Sequence, residues 1–157
     1  MEKEIQLNEH NKQEHRPSHT AEHMINRAMI NNFGCGRAVE AHIERKKSKM
    51  DFALPKAPTE EQIRKVEAEV NSMIDKDMTV AYEYISQAEA STRYDLRRLP
   101  EGASDTVRVV KIGDYDDCLC VGQHVDSTAE IGKVSIVSYD YNAEKQILRI
   151  RFKTQAQ

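Results

Sequence analysis

From Ser18 onward apolar residues recur at helical spacing, with Ala21, Met24, Ile25, Ala28 and Met29 on one face and Gly34 and Gly36 closing the segment. A first helix is predicted over about residues 19–32. Two strand-like stretches follow at 38–44 and 49–54, and in the second Met50, Phe52 and Leu54 alternate with Lys49, Asp51 and Ala53. Pro58 and Thr59 then precede Glu60-Glu61-Gln62, a Thr-x-x-Gln capping box in which Thr59 and Gln62 satisfy free amides at a helix start. The second helix carries Ile63, Val66, Val70, Met73 and Ile74 as its apolar stripe, with Glu67 and Glu69 outside it. Val80, Tyr82 and Tyr84 alternate as a strand, residues 86–94 suggest a short helix, and Pro100 and Gly102 mark a loop. The last third reads as strands at 106–112, 117–120, 133–141 and 146–152, the final one turning Leu148, Ile150 and Phe152 inward and Arg149 and Arg151 outward. Two main helices packed on a largely antiparallel sheet predict an α+β, two-layer domain.

Residues 1–17 carry charge, amides and imidazoles with almost no apolar side chain, so they are expected to form a loosely held leader before one domain at 18–157. The 157 residues leave little room for a second core, and 39% apolar against 31% charged residues predicts a thin one. A formal charge of -3 excludes a generally basic coat for nucleic acid, though not a local basic patch. No apolar run approaches the roughly 18 residues of a membrane span, and the N-terminus is too polar for a secretory signal, so a soluble, cytoplasmic protein is expected. Three cysteines are too few for a disulfide framework, which points to a reducing compartment and to thiol or metal chemistry.

His19 and His23 stand four apart at the start of the first helix, so both rings leave one face with Cβ atoms about 5–6 Å apart, close enough to share a metal. The same spacing also occurs on ordinary helix surfaces. Downstream, Cys120-Val121-Gly122-Gln123-His124 places a thiol and an imidazole four apart across a glycine turn at a strand end. Together His19, His23, Cys120 and His124 form a donor set that suits zinc, while the plainer reading makes Cys120 an inert buried thiol and His124 a surface residue. Cys118 is expected to turn away from Cys120 into the core, Cys35 has no assigned role, and His10, His15 and His42 are read as surface residues.

His19-Thr20-Ala21-Glu22-His23, Met50-Asp51-Phe52, Pro58-Thr59-Glu60-Glu61-Gln62-Ile63, the stretch from Val107 to Tyr115, Cys120-Val121-Gly122-Gln123-His124-Val125 and Glu130-Ile131-Gly132 occur in that order. In this the chain resembles the editing domain of alanyl-tRNA synthetase and its freestanding relatives, and shares the paired His-x-x-x-His and Cys-x-x-x-His of the threonyl-tRNA synthetase domain. The resemblance covers nearly everything from Ser18 to Phe152 and matches the minimal form. It implies hydrolysis of the ester joining a wrong amino acid, typically serine or glycine on alanine tRNA, to the terminal adenosine. It also implies Zn2+ as cofactor, held by His19, His23, Cys120 and His124. Thr20, Glu22 and Gln123 become the candidates for catalysis, Thr20 through its hydroxyl and Glu22 or Gln123 by orienting a water. Backbone amides near Gly122 are candidates for the developing oxyanion. The acceptor end of tRNA is the implied partner, with Lys46, Lys47 and Lys49 at the first hairpin and Arg93, Arg97 and Arg98 after the third helix as candidate phosphate contacts. The chain departs from the family at Glu22 and at Val121-Gly122-Gln123, and matches it poorly over 34–43.

Two other readings stay open. One is a noncatalytic, zinc-stabilised tRNA-binding module. The other is a zinc peptidase, because His19-Thr20-Ala21-Glu22-His23 also spells His-x-x-Glu-His, with Glu22 activating water and Glu83 or Glu89 completing the ligands.

Overall fold

A computed structural model describes residues 15–94 and 105–155. The predicted α+β character holds. Helix α1 spans Arg16–Phe33 and α2 spans Glu60–Ile74, with a short α3 at Gln87–Ala90. The strands are β1 (Glu40–His42), β2 (Ser48–Ala53), β3 (Val80–Ser86), β4 (Thr106–Ile112), β5 (Asp116–Leu119), β6 (Val134–Asn142) and β7 (Ile147–Thr154). They divide into two antiparallel sheets, ordered β1-β2-β7-β6 and β3-β4-β5, and the described residues close no barrel.

Local chemistry accounts for the helix ends. Thr59 accepts from the Gln62 amide while the Gln62 side chain accepts from the Thr59 amide, so α2 begins on the expected capping box. Helix α1 ends at Gly34, whose φ of 67° is the left-handed conformation that costs glycine least. Its start lies earlier than the apolar pattern suggested, because Pro17 belongs to the first turn and His15 stands at the cap. His15 is accordingly buried, not a surface residue, with Nδ1 2.7 Å from the Ser18 hydroxyl. His42 is exposed, and His10 lies outside the described residues.

The core forms where Met24, Ile25 and Met29 of α1 and Ile63, Val66, Val70 and Ile74 of α2 meet Phe52, Leu148, Ile150 and Phe152 of the larger sheet. The expected inward stripe of β7 is therefore the buried one. The polar side of α2 has its own task. Asn71 exchanges hydrogen bonds with both backbone groups of Val134 (2.8 and 2.9 Å), and Glu67 accepts from the Ile136 amide (2.8 Å), extending the ladder of edge strand β6 onto a helix. In the smaller sheet β3 and β4 enclose a separate cluster of Ile85, Ala90, Val107 and Val109. The β4–β5 turn uses Gly113 at φ 53°, where a Cβ would come within 2.7 Å of the Met78 sulfur. That tight return sets β5 against α1.

Candidate metal centre

Helix α1 and the segment from β5 to Val125 converge on one point. His19 and His23 lie a turn apart on α1, and the chain brings Cys120 and His124 to the same helix face, so that one donor atom from each of the four lies within 4.8 Å of every other. Cys120 Sγ is 3.5 Å from His124 Nε2 and 3.8 Å from His19 Nε2. A tetrahedral ion with bonds of about 2.0–2.3 Å sets its ligands roughly 3.3–3.8 Å apart, so the donor atoms need little movement to close on a metal. Three nitrogens and one sulfur suit a borderline-soft ion.

Electrostatics prepare the same four groups. Burial opposes charge on Cys120, yet neighbouring His23 and hydrogen bonds from His124 and His19 hold its thiol well below the ordinary cysteine range. Burial likewise pushes His23 down, but the Cys118 and Cys120 sulfurs and Asp116 more than offset this and raise it well above an ordinary imidazole. The two shifts run in opposite directions, toward charge on both the sulfur and the ring, and a cation held here would compete with the proton on His23. His124 is the opposite case, pushed by burial down to about 4 and therefore a neutral donor at ordinary pH.

Neighbouring side chains orient these donors. His19 Nδ1 is 3.1 Å from the Gln123 carbonyl and His124 Nδ1 is 3.0 Å from the Thr20 hydroxyl, in each case leaving Nε2 toward Cys120. Thr20 is fully buried and also accepts from the Val125 amide, so its hydroxyl serves His124 and the turn. The Gly122 amide, expected beside a developing oxyanion, donates instead to Cys120 Sγ (3.3 Å). Gln123 is exposed and its amide oxygen accepts from Arg16 Nε (3.2 Å). Glu22 lies on the cluster, with Oε1 3.5 Å from His19 Nε2.

Cys118 does not turn away. Residues two apart on a strand share a face, so Asp116, Cys118 and Cys120 all project toward α1. Cys118 Sγ is 3.0 Å from His23 Nδ1, and Asp116 Oδ2 is 3.7 Å from the same nitrogen. The Asp116 side chain is fully buried, and its Oδ1 accepts from Arg27 Nε (2.9 Å) and Arg37 Nη2 (2.6 Å). These four residues were not singled out as a group by the sequence reading. Two regularities point to three of them, though not to Arg37: His19, His23 and Arg27 repeat every four residues on α1, and Asp116, Cys118 and Cys120 every two along β5 and just past its end.

A cavity of about 1060 Å³ opens beside the cluster, lined by His19, Glu22, His23, Arg37, Cys118 and Cys120 among others. Of the candidate phosphate contacts, Lys46 and Lys47 lie in the β1–β2 turn and Lys49 on β2, all exposed. Arg93 sits at the cavity but is flanked by Glu83, Glu89 and Asp117. Arg97 and Arg98 lie outside the described residues. Glu83 and Glu89, the nominated third ligands of a peptidase, are drawn to Arg93, and Glu83 also to Lys111, while Cys120 and His124 complete the cluster. Among the described residues no helix is long and apolar enough to cross a membrane.

Residues 107–151 match the family described as the threonyl and alanyl tRNA synthetase second additional domain. The chain is 36% identical over 122 residues to the alanine-tRNA ligase of Fervidobacterium nodosum and 34% identical over 122 residues to that of Acetivibrio thermocellus, in each case 77% of this chain and 14% of the relative. The alanine-tRNA ligase of Staphylothermus marinus is 29% identical over 139 residues, 85% of this chain and 15% of its own length. The chain thus spans about one-seventh of the ligases it matches. The match, the ordered motifs and the gathered histidines and cysteine agree: residues 107–151 carry the match to the second additional domain of the threonyl and alanyl tRNA synthetases, and over about 77% of its length the chain is homologous to part of the alanine-tRNA ligases.

Proposed function

We propose that this chain hydrolyses the ester of a mischarged aminoacyl-tRNA, with Zn2+ held by His19, His23, Cys120 and His124. The relation to alanine-tRNA ligases supports a tRNA-related editing or binding role in general. One observation carries the hydrolytic reading: His19, His23 and a thiol of lowered pKa, Cys120, line a cavity roomy enough for an aminoacyl group and its ribose, with His124 gathered to the same three. Zinc, when bound, supplies positive charge beside an ester carbonyl or substrate amine.

The chain's own residues do the rest. Glu22 presents a carboxylate to the cavity beside His19 and is the acceptor that orients the attacking water and takes its proton. Water adds to the ester carbon, the bond to the ribose oxygen breaks, and that oxygen leaves with a proton, giving a free amino acid and a free tRNA end. Thr20 acts through His124, holding the ring so that Nε2 faces the thiolate. Gln123, turned to Arg16, closes the outer side of the turn. Serine or glycine on alanine tRNA is the proposed substrate class.

The test is release of labelled serine, glycine and alanine from alanine tRNA, and of serine from threonine tRNA. Serine or glycine release that His23→Ala and Cys120→Ala abolish, and that Glu22→Gln slows about 100- to 10,000-fold with zinc still bound, is the expected result. Zinc binding without any ester turnover selects the noncatalytic tRNA-binding reading.

A further inference from the structure

The larger sheet turns Phe52, Leu148, Ile150 and Phe152 toward the helices, so the residues that alternate with them on β2 and β7 point to its outer face. Charge on that face is sorted by row. Asp51 and Asp140 both stand opposite Arg149, and Asp140 also pairs with Arg151 at 2.8 Å, so acid and base cancel at this end. The other end is basic. His42, Lys49, Arg151 and Ser138 form one line across β1, β2, β7 and β6 with no carboxylate in it, and the nearby Glu44 is paired with His42. The register carried one residue further sets Lys47 beside Lys153, which stands opposite Ser135. Lys133 lies two residues before Ser135 and so on the same face, its carbonyl accepting from the Gln155 amide (2.7 Å). All four lysines are exposed, and among the described residues none of them forms an ion pair.

Like charges directly opposed on antiparallel strands repel, so Lys49 against Arg151 is a local cost that an anion lying across the pair removes. Cations about 5 Å apart across the strands and about 7 Å apart along them form a flat grid, which suits a line of successive phosphates and touches a backbone without reading its bases. The grid also borders the end of α1 that carries the centre: the Thr154 hydroxyl, next to Lys153, lies 3.4 Å from that of Ser18, next to His19. We infer that Lys47, Lys49, Lys133, Arg151 and Lys153 form a docking surface for the phosphate backbone of an RNA double helix, the body of the tRNA as distinct from the end that carries the ester. The inference rests on the tRNA-related reading for the identity of the polyanion, and it extends the hold on RNA from the first hairpin to β6 and β7.

Binding of the full chain to an uncharged alanine tRNA transcript is measured over a range of salt. The proteins are wild type, the pair Lys133→Glu and Lys153→Glu, the same pair changed to Arg, and Lys145→Glu, a control on the groove at the mixed-charge end of the face. All three positions are exposed, so the exchanges leave the core intact. The glutamate pair is expected to lower the slope of log affinity against log salt by about 1.5, two phosphate contacts, while the arginine pair and Lys145→Glu stay close to wild type. A wild-type slope in the glutamate pair, an equal fall with Lys145→Glu, or no tRNA binding by wild type overturns the surface. Binding to phosphatidylserine vesicles that the glutamate pair loses while its tRNA binding is unchanged also overturns it, assigning the lysines to a membrane. Release of labelled serine from a short single-stranded oligonucleotide ester, which has no double helix, is expected to be equal in wild type and the glutamate pair, and slower release by the pair overturns the surface. A fall in slope in a protein that cleaves no ester leaves the surface standing and sinks the hydrolytic reading alone.

Discussion

Asp116 illustrates how much one side chain outside the donor set can decide. Two arginines, one from α1 and one from the segment before β1, meet on its Oδ1, while Oδ2 faces His23 Nδ1 at 3.7 Å. Burial works against its charge, but His23 and Arg37 hold its carboxyl below the usual carboxylate range, so it stays ionised. A carboxylate behind a ligating imidazole fixes the ring and raises its basicity. Asp116→Asn is therefore expected to weaken zinc affinity about 10- to 100-fold by chelator competition. The arginines left behind also lower the urea midpoint. A variant that binds zinc as wild type does removes Asp116 from the support of the centre. Cys118, closer to the same nitrogen, shares this support.

At the scale of elements, helix faces and strand pairs each do more than the apolar pattern assigns them. The polar side of α2, which the stripe of Ile63, Val66 and Val70 leaves facing out, binds the edge of β6 through Asn71 and Glu67. Strands β2 and β7 are joined across the sheet by Asp51 and Arg149, directly opposed in register and linked by two hydrogen bonds of 2.8 and 3.0 Å. The Arg149 hydrogen bonds hold the Asp51 carboxyl below its ordinary value. A carboxyl lowered on folding adds stability above its unfolded pKa of about 3.9, and that contribution fades as pH falls through the lower folded value. Asp51→Asn should therefore unfold at a lower urea concentration than wild type at pH 7, and the gap should close below about pH 4. A constant gap across that range removes the ion pair as its cause.

For the whole molecule, a net charge of -3 means that any hold on tRNA must be local. Lys46, Lys47 and Lys49 are exposed at the first hairpin, whereas Arg93 is flanked by acidic side chains. Replacing the three lysines by alanine should lower the slope of log affinity against log salt by about 2–3 for tRNA, since each phosphate contact contributes roughly 0.7–0.9. An unchanged slope moves the phosphate contacts elsewhere. Much of this molecule is written in local order. The helical period around Met24 and Ile63, the Thr59 cap, the inward stripe of β7 and the two four-residue spacings of the donors are legible because each depends on near neighbours in the chain. The sequence by itself determined the α+β class and singled out His19, His23, Cys120 and His124, four side chains that the fold gathers. Tertiary structure alone decided the split into two sheets, the burial of His15, and the support that Asp116, Cys118, Arg27 and Arg37 lend to His23. It also decided that the Gly122 amide serves the sulfur. The reason is physical: these contacts join residues up to about a hundred positions apart, and their energy exists only once α1 packs on β5 and the Gly113 turn returns the chain beside it.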